Sequence, residues 1–126
     1  ADNGPGWVGV LLGSRAEVLA LKPDFVAMQG LAIGVVGPAD AKDDTDADYE
    51  VRAFIPGDGI AEDPVTGSLN ASLGQWLIGS GLAPAKYTAA QGTAIGRAGR
   101  VYIEKIGQDV WVGGETVTCI EGTVTL

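Results

Sequence analysis

The sequence predicts an α+β fold in which a curved, mixed or largely antiparallel sheet wraps around one buried central helix. Three observations point there. Leu69, Ala71, Leu73, Trp76, Leu77 and Ile78 leave the segment 69–78 apolar nearly all round, and a helix of that kind is covered on all sides. Short stretches alternate at period two between turn residues, and the 20 glycines follow no Gly-X-Y period, which favours strands and tight turns. The order of elements, strand–helix–strand–strand–helix and then a run of strands, is that of an α+β domain. At 126 residues the chain fits a single domain, 1–126.

Each element has a local signature. WVGVLL at 7–12 is an apolar run after the turn-rich NGPG, and reads as a strand. Ser14 with Glu17 three residues later is a helix start, Val18, Leu19 and Leu21 give that helix its buried face, and Pro23 ends it. Residues 24–28 are expected to form a short turn, and LAIGVVG at 31–37 a buried strand. Asp40, Asp43, Asp44, Asp46, Asp48 and Glu50 mark a solvated acidic loop. Asp44, Asp46 and Asp48 have the spacing of a calcium loop, but Tyr49 stands where the turn needs Gly and Ile55 where a bidentate Glu belongs. YEVRAFIP at 49–56 alternates Tyr49, Val51, Ala53 and Ile55 with Glu50, Arg52 and Phe54 as a strand. A helix is expected to begin between Asp63 and Ser68, with Pro64 suited to its first position. KYTAAQG, RVYIEKIG, DVWVGG and ETVTCIEGTVTL then read as strands, with hairpins at Gly107-Gln108 and Gly113-Gly114.

Composition excludes several function classes. A formal charge of −8, from 8 Lys+Arg against 16 Asp+Glu, opposes nucleic-acid binding, which needs cations for phosphates. No apolar run reaches the ~20 residues of a membrane span, so a cytoplasmic protein is expected. With no histidine and one cysteine, the common zinc, haem, Ser-His and Cys-His arrangements lack ligands, and no metal site is expected. Cys119 is expected to pack within a strand. The chain opens at Ala1 without Met and reads as a piece of something longer.

The segment IAEDPVTGSLNASLGQWLIGSG at 60–81 carries the chemistry. A helix must satisfy its first N–H groups, and Asp63, Thr66 and Ser68 are suitable caps. The same N–H groups and the positive end of the helix dipole can instead hold a ligand carboxylate or phosphate. Gly67 has no side chain to block the approach, and Asp63 beside such a site is suited to proton transfer. Phosphate-loop readings fail: GxxxxGK[ST] is absent, and Gly92, Gly96 and Gly99 in QGTAIGRAGR do not have GxGxxG spacing. Arg97 and Arg100 are expected on the surface.

EVRAFIPGDGIAEDPVTGSLNASLGQWL, AAQGTAIGRAGRVYI and VWVGGETVTCIEGTVTL resemble the phenazine biosynthesis PhzF-like proteins, and DNGPGWVGVLL and ALKPDF fit the opening of that family's second half. The resemblance covers essentially the whole chain. It implies the diaminopimelate-epimerase-like fold, two similar domains with an active site in the cleft between them, and it identifies this chain with the C-terminal domain. Members are cofactor-free isomerases and epimerases or proteins of unassigned activity, so no cofactor is expected. The phenazine enzyme itself isomerises a dihydro-hydroxyanthranilate. Carried onto this sequence, the motif makes Asp63 the acidic active-site residue. Thr66, Gly67 and Ser68 become the substrate-binding set, with the Gly67 and Ser68 amides facing the substrate carboxylate. The family's principal Glu and its active-site His belong to the N-terminal domain, which no segment here matches. The two thiols of the racemases of this fold are missing, since Asp63 occupies the motif position.

The leading expectation is therefore the C-terminal half of a cofactor-independent isomerase or epimerase, inactive alone. It acts by proton transfer on a small carboxylate-bearing substrate such as a cyclic amino or hydroxy acid. The alternative is a non-catalytic anion-binding or dimerisation module of the same fold. Expected partners are the carboxylate substrate, the missing N-terminal domain and a second copy in a homodimer, with no nucleic acid and no membrane.

Overall fold

The computed structural model describes residues 3–28 and 30–125. Its elements are β1 (Val8–Leu11), α1 (Arg15–Ala20), β2 (Ile33–Pro38), β3 (Tyr49–Phe54), β4 (Glu62–Asp63), α2 (Gly67–Gly79), β5 (Lys86–Gln91), β6 (Gly99–Ile106) and β7 (Asp109–Gly113). They form one seven-stranded mixed sheet in the order β1-β2-β3-β5-β6-β7, with β4 paired to β3 off that path. The β1–β2 and β3–β5 pairs are parallel and the others antiparallel. Among the described residues, no helix is long and apolar enough to cross a membrane.

The period-two strands sort their side chains onto two faces. On the inner face Val36, Tyr49, Val51, Ala53, Tyr87, Ala89, Val101 and Ile103 pack with Leu69, Leu73 and Leu77 of α2. This is the curled sheet around a helix that the apolar segment predicts. The helix is not closed in on every side: Gln75 and Gly79 are exposed, and the buried set includes the polar Asn70 and Ser72. On the outer face α1 covers Val35 and Phe54 through Val18. β3 is consequently buried along its whole length, and its outward Glu50 is wholly buried and paired with Arg15 of α1.

Local chemistry explains the boundaries. Ser14 Oγ accepts from the Glu17 amide at 3.2 Å, and Glu17 Oε2 accepts from Gly13 N–H at 2.8 Å, so the capping pair sits where the sequence puts it. Asp24 Oδ1 accepts from the Val26 and Ala27 amides and builds the turn before β2. The acidic loop is tied down by polar contacts, Asp43 to the Asp40 amide and Asp48 to the Thr88 amide. Gly107-Gln108 is a two-residue hairpin with Gly107 at φ +64°.

Two expectations fail at the C-terminal end. No hairpin forms at Gly113-Gly114, and residues 114–125 have no regular secondary structure and are exposed throughout. Cys119 is likewise exposed rather than packed in a strand. The β-branched residues there satisfy strand propensity, but a strand also needs a neighbouring strand to bond.

Candidate active site

β3 shares one edge between two partners: Tyr49–Val51 pair with β5, while Ala53 and Phe54 pair with β4. Where β5 and β4 part, the chain leaves β4 at Asp63, turns through Pro64-Val65-Thr66 and enters α2 at Gly67. Pro64 thus stands before the helix rather than at its first position. The loop fits only because two neighbours lack side chains. A Cβ on Gly92, already at φ +89°, would lie 2.7 Å from the Pro64 carbonyl oxygen, and one on Gly99 would lie 2.4 Å from Val65 Cγ2.

Asp63 lies opposite Ala53 on the inner face, and its Oδ2 accepts the Thr66 hydroxyl proton at 2.5 Å. The Thr66 hydroxyl in turn accepts from Gln91 Nε2 at 2.9 Å, so its direction is fixed. Gln91 is wholly buried. Its Nε2 also donates to the Asp63 carbonyl at 3.0 Å, and its Oε1 accepts from the Thr66 amide at 3.1 Å and from Asn70 Nδ2 at 2.8 Å. One glutamine side chain therefore locks the loop, the helix start and the Asp63 carboxylate together.

The four residues singled out by the sequence are contiguous in space but differ in state. Thr66 is the N-cap by position, yet its side chain does not cap α2: its oxygen accepts from Gln91 Nε2 instead of a first-turn amide, and its proton goes to Asp63. It orients the carboxylate instead of offering a free group to a ligand. Asp63 likewise lies in β4 and is no cap. Gly67 and Ser68 are exposed in the first helical turn, where amides have no intrahelical acceptor. Ser68 Oγ accepts from Trp7 Nε1 at 3.1 Å, which holds the hydroxyl while leaving its proton to donate. Beside the helix start lies a cavity of about 470 Å³ bounded by Val65, Gly67, Gly99, Arg100, Gly113 and Glu115 among others. Arg97 is exposed, and Arg100 pairs with Asp46 at 2.7 Å.

Sequence reasoning missed Gln91 and Asn70. Their only signal is a polar residue at an otherwise apolar, inward-facing position, once at the end of β5 and once inside α2.

A curled mixed sheet holding one helix, with an acidic residue and an uncapped helix start at the split of the sheet, defines an α+β half-barrel with a polar rim. The phenazine biosynthesis-like (PhzC-PhzF) family model matches residues 1–122, and the chain belongs to that family. Antisense-enhancing sequence 1 of Schizosaccharomyces pombe is 31% identical across 96% of this chain and 44% of its own length. The uncharacterized isomerase YddE of Salmonella typhimurium is 34% identical across 80% of this chain and 37% of its own. Among solved structures, a putative phenazine biosynthesis PhzC/PhzF protein from Clostridium difficile superposes with a TM-score of 0.69 at 28% identity, covering 95% of this chain and 45% of that one. A PhzF-family protein from Enterococcus faecalis gives 0.69 at 29% identity, covering 84% and 39%. The chain spans less than half the length of each of these relatives. Its fold is that of a family with proteins described as isomerases among its members.

Proposed function

We propose that residues 1–126 form one domain that supplies half of a cofactor-independent isomerase, the C-terminal half of a two-domain protein. The observation that carries this reading is the pairing of an oriented carboxylate, Asp63, with the exposed helix start at Gly67 and Ser68, held as one unit by Gln91. The amides of that first turn suit the carboxylate of a small substrate. A proton on the neighbouring carbon then lies near Asp63. A base removes it, the electron pair delocalises into the adjoining π system, and the proton returns to the opposite face or to another carbon. In this scheme Asp63 carries or steadies the proton, Thr66 aims Asp63, and Gly67 and Ser68 hold the carboxylate. The resemblance assigns the partner Glu and His to the other domain, so this chain alone is expected to be inactive.

The test uses the complete protein in D2O with a panel of cyclic amino and hydroxy acids. Deuterium uptake at carbon, or an internal hydrogen shift, is expected, and Asp63→Asn should slow it on the order of 10²–10⁴-fold. Absence of both across the panel would falsify the isomerase reading. In this chain, an aromatic carboxylate should shift the Gly67 and Ser68 amides saturably. Such shifts without any exchange in the complete protein would favour a non-catalytic anion-binding module.

A further inference from the structure

We infer that Arg52 is a positioning residue, which through Glu62 sets the face on which Asp63 stands. This inference rests on Asp63 being the proton-transfer group. β4 is only two residues long, held to β3 at Ala53 and Phe54. So short a ladder specifies its register weakly, and a one-residue slip would turn Asp63 to the outer face. The residue before it prevents this. Glu62 lies on the outer face, where Arg52 grips both carboxylate oxygens, Nε to Oε1 at 2.9 Å and Nη2 to Oε2 at 2.7 Å. Because successive strand residues point to opposite faces, fixing Glu62 outward fixes Asp63 inward, opposite Ala53 and within reach of Thr66.

Arg52 is itself held. Its Nη1 donates to the carbonyls of Leu21 at 2.9 Å and Val18 at 3.3 Å, at the end of α1, a helix with no basic residue in its last turn. Its guanidinium lies 4.8 Å from the centroid of the Phe54 ring. Both members of the Arg52–Glu62 pair are more than nine-tenths buried. A buried ion pair of this kind is no reliable source of stability, and apolar replacement of both partners is often neutral. Its use here is geometric: a planar fork reads both oxygens of one carboxylate and admits a single register.

The experiment is NMR on this chain with the pair replaced as a unit, Arg52→Met with Glu62→Leu, which leaves no orphan charge. A folded chain with a lowered melting temperature is expected, because the Leu21 and Val18 carbonyls lose their donor, together with at least a threefold loss of the nuclear Overhauser contact between the Asp63 β-protons and the Thr66 methyl. The Gln91–Asn70 contact should persist. A folded double variant that keeps the Asp63–Thr66 contact at full strength overturns the inference. If the double variant does not fold, Arg52→Lys decides, since an ammonium cannot span both oxygens. Loss of the same contact supports the inference. Its retention, or failure of this variant to fold as well, shows that Arg52 serves the core and not the register. No ligand enters the measurement, so its outcome is separate from the isotope exchange that tests the isomerase reading.

Discussion

Gln91 concentrates four hydrogen bonds in one buried side chain, to the Asp63 carbonyl, the Thr66 amide and hydroxyl, and Asn70. Replacing it by leucine keeps the bulk and removes every partner. The Thr66 amide and the Asp63 carbonyl then lose their acceptor and donor in a dry setting, where each unsatisfied group costs about 1–3 kcal/mol. Gln91→Leu is expected to destabilise the chain by roughly 3 kcal/mol in total. Urea denaturation checks this: the midpoint should fall at unchanged slope, because the exposed area hardly differs. An unmoved midpoint would mean that water or a shifted backbone satisfies these groups. None of this was legible in the sequence. Asp63, Thr66, Gly67 and Ser68 stand in a recognisable run, whereas Gln91 lies 25 residues from Thr66 and meets it only through the sheet.

At the scale of elements, the sheet has one weak seam. The β3–β5 pairing joins its two halves through three residue pairs only, Tyr49–Val51 with Ala89–Gln91. Side chains reinforce it. Tyr49 and Tyr87 meet edge to face at 5.0 Å, and Tyr49 Oη donates to the Leu82 carbonyl at 3.0 Å. Burial pushes the Tyr87 phenol well above its ordinary value, with the neighbouring Tyr49 adding to the shift. Burial, then the charge of Asp48, raises Tyr49 as well. The folded state therefore holds these protons more tightly than the unfolded chain does. Their contribution to stability is complete below the unfolded tyrosine pKa of about 10 and is lost as the pH rises through the folded values. Stability should be flat through neutral pH and fall above pH ~10, with Tyr87→Phe flattening that limb, as chemical denaturation at pH 8, 10 and 11 would record. An unchanged limb in Tyr87→Phe would place the alkaline weakness elsewhere. The elements themselves follow largely from local signals: Ser14 with Glu17 starts α1, and Gly107-Gln108 turns β6 into β7. β4 has no such signal, because two residues in an extended loop become a strand only when β3 is beside them.

For the whole molecule, the unusual feature is the stretch after β7. Val117, Ile120 and Val124 are 85%, 92% and 80% exposed, and Trp111 on the edge strand is 62% exposed. The stretch touches the sheet through Tyr102 Oη and Glu115 Oε1 at 3.5 Å, a marginal contact. Residues of high strand propensity without a paired strand, next to an edge strand with unpaired backbone groups, form a surface that invites strand pairing between copies. The net charge of −8 opposes such contact by mutual repulsion, and added salt screens that repulsion. Self-association is thus expected to rise with salt. Truncation before Glu115 should remove most of it while leaving the melting temperature within a few degrees, since the core set from Trp7 to Ile103 contains no residue of the stretch. Sedimentation velocity of the two forms at low and high salt measures this directly. If the truncated chain still associates, the exposed Tyr102 and Trp111 of β6 and β7 are the contact instead. If it unfolds, the stretch belongs to the domain's own structure.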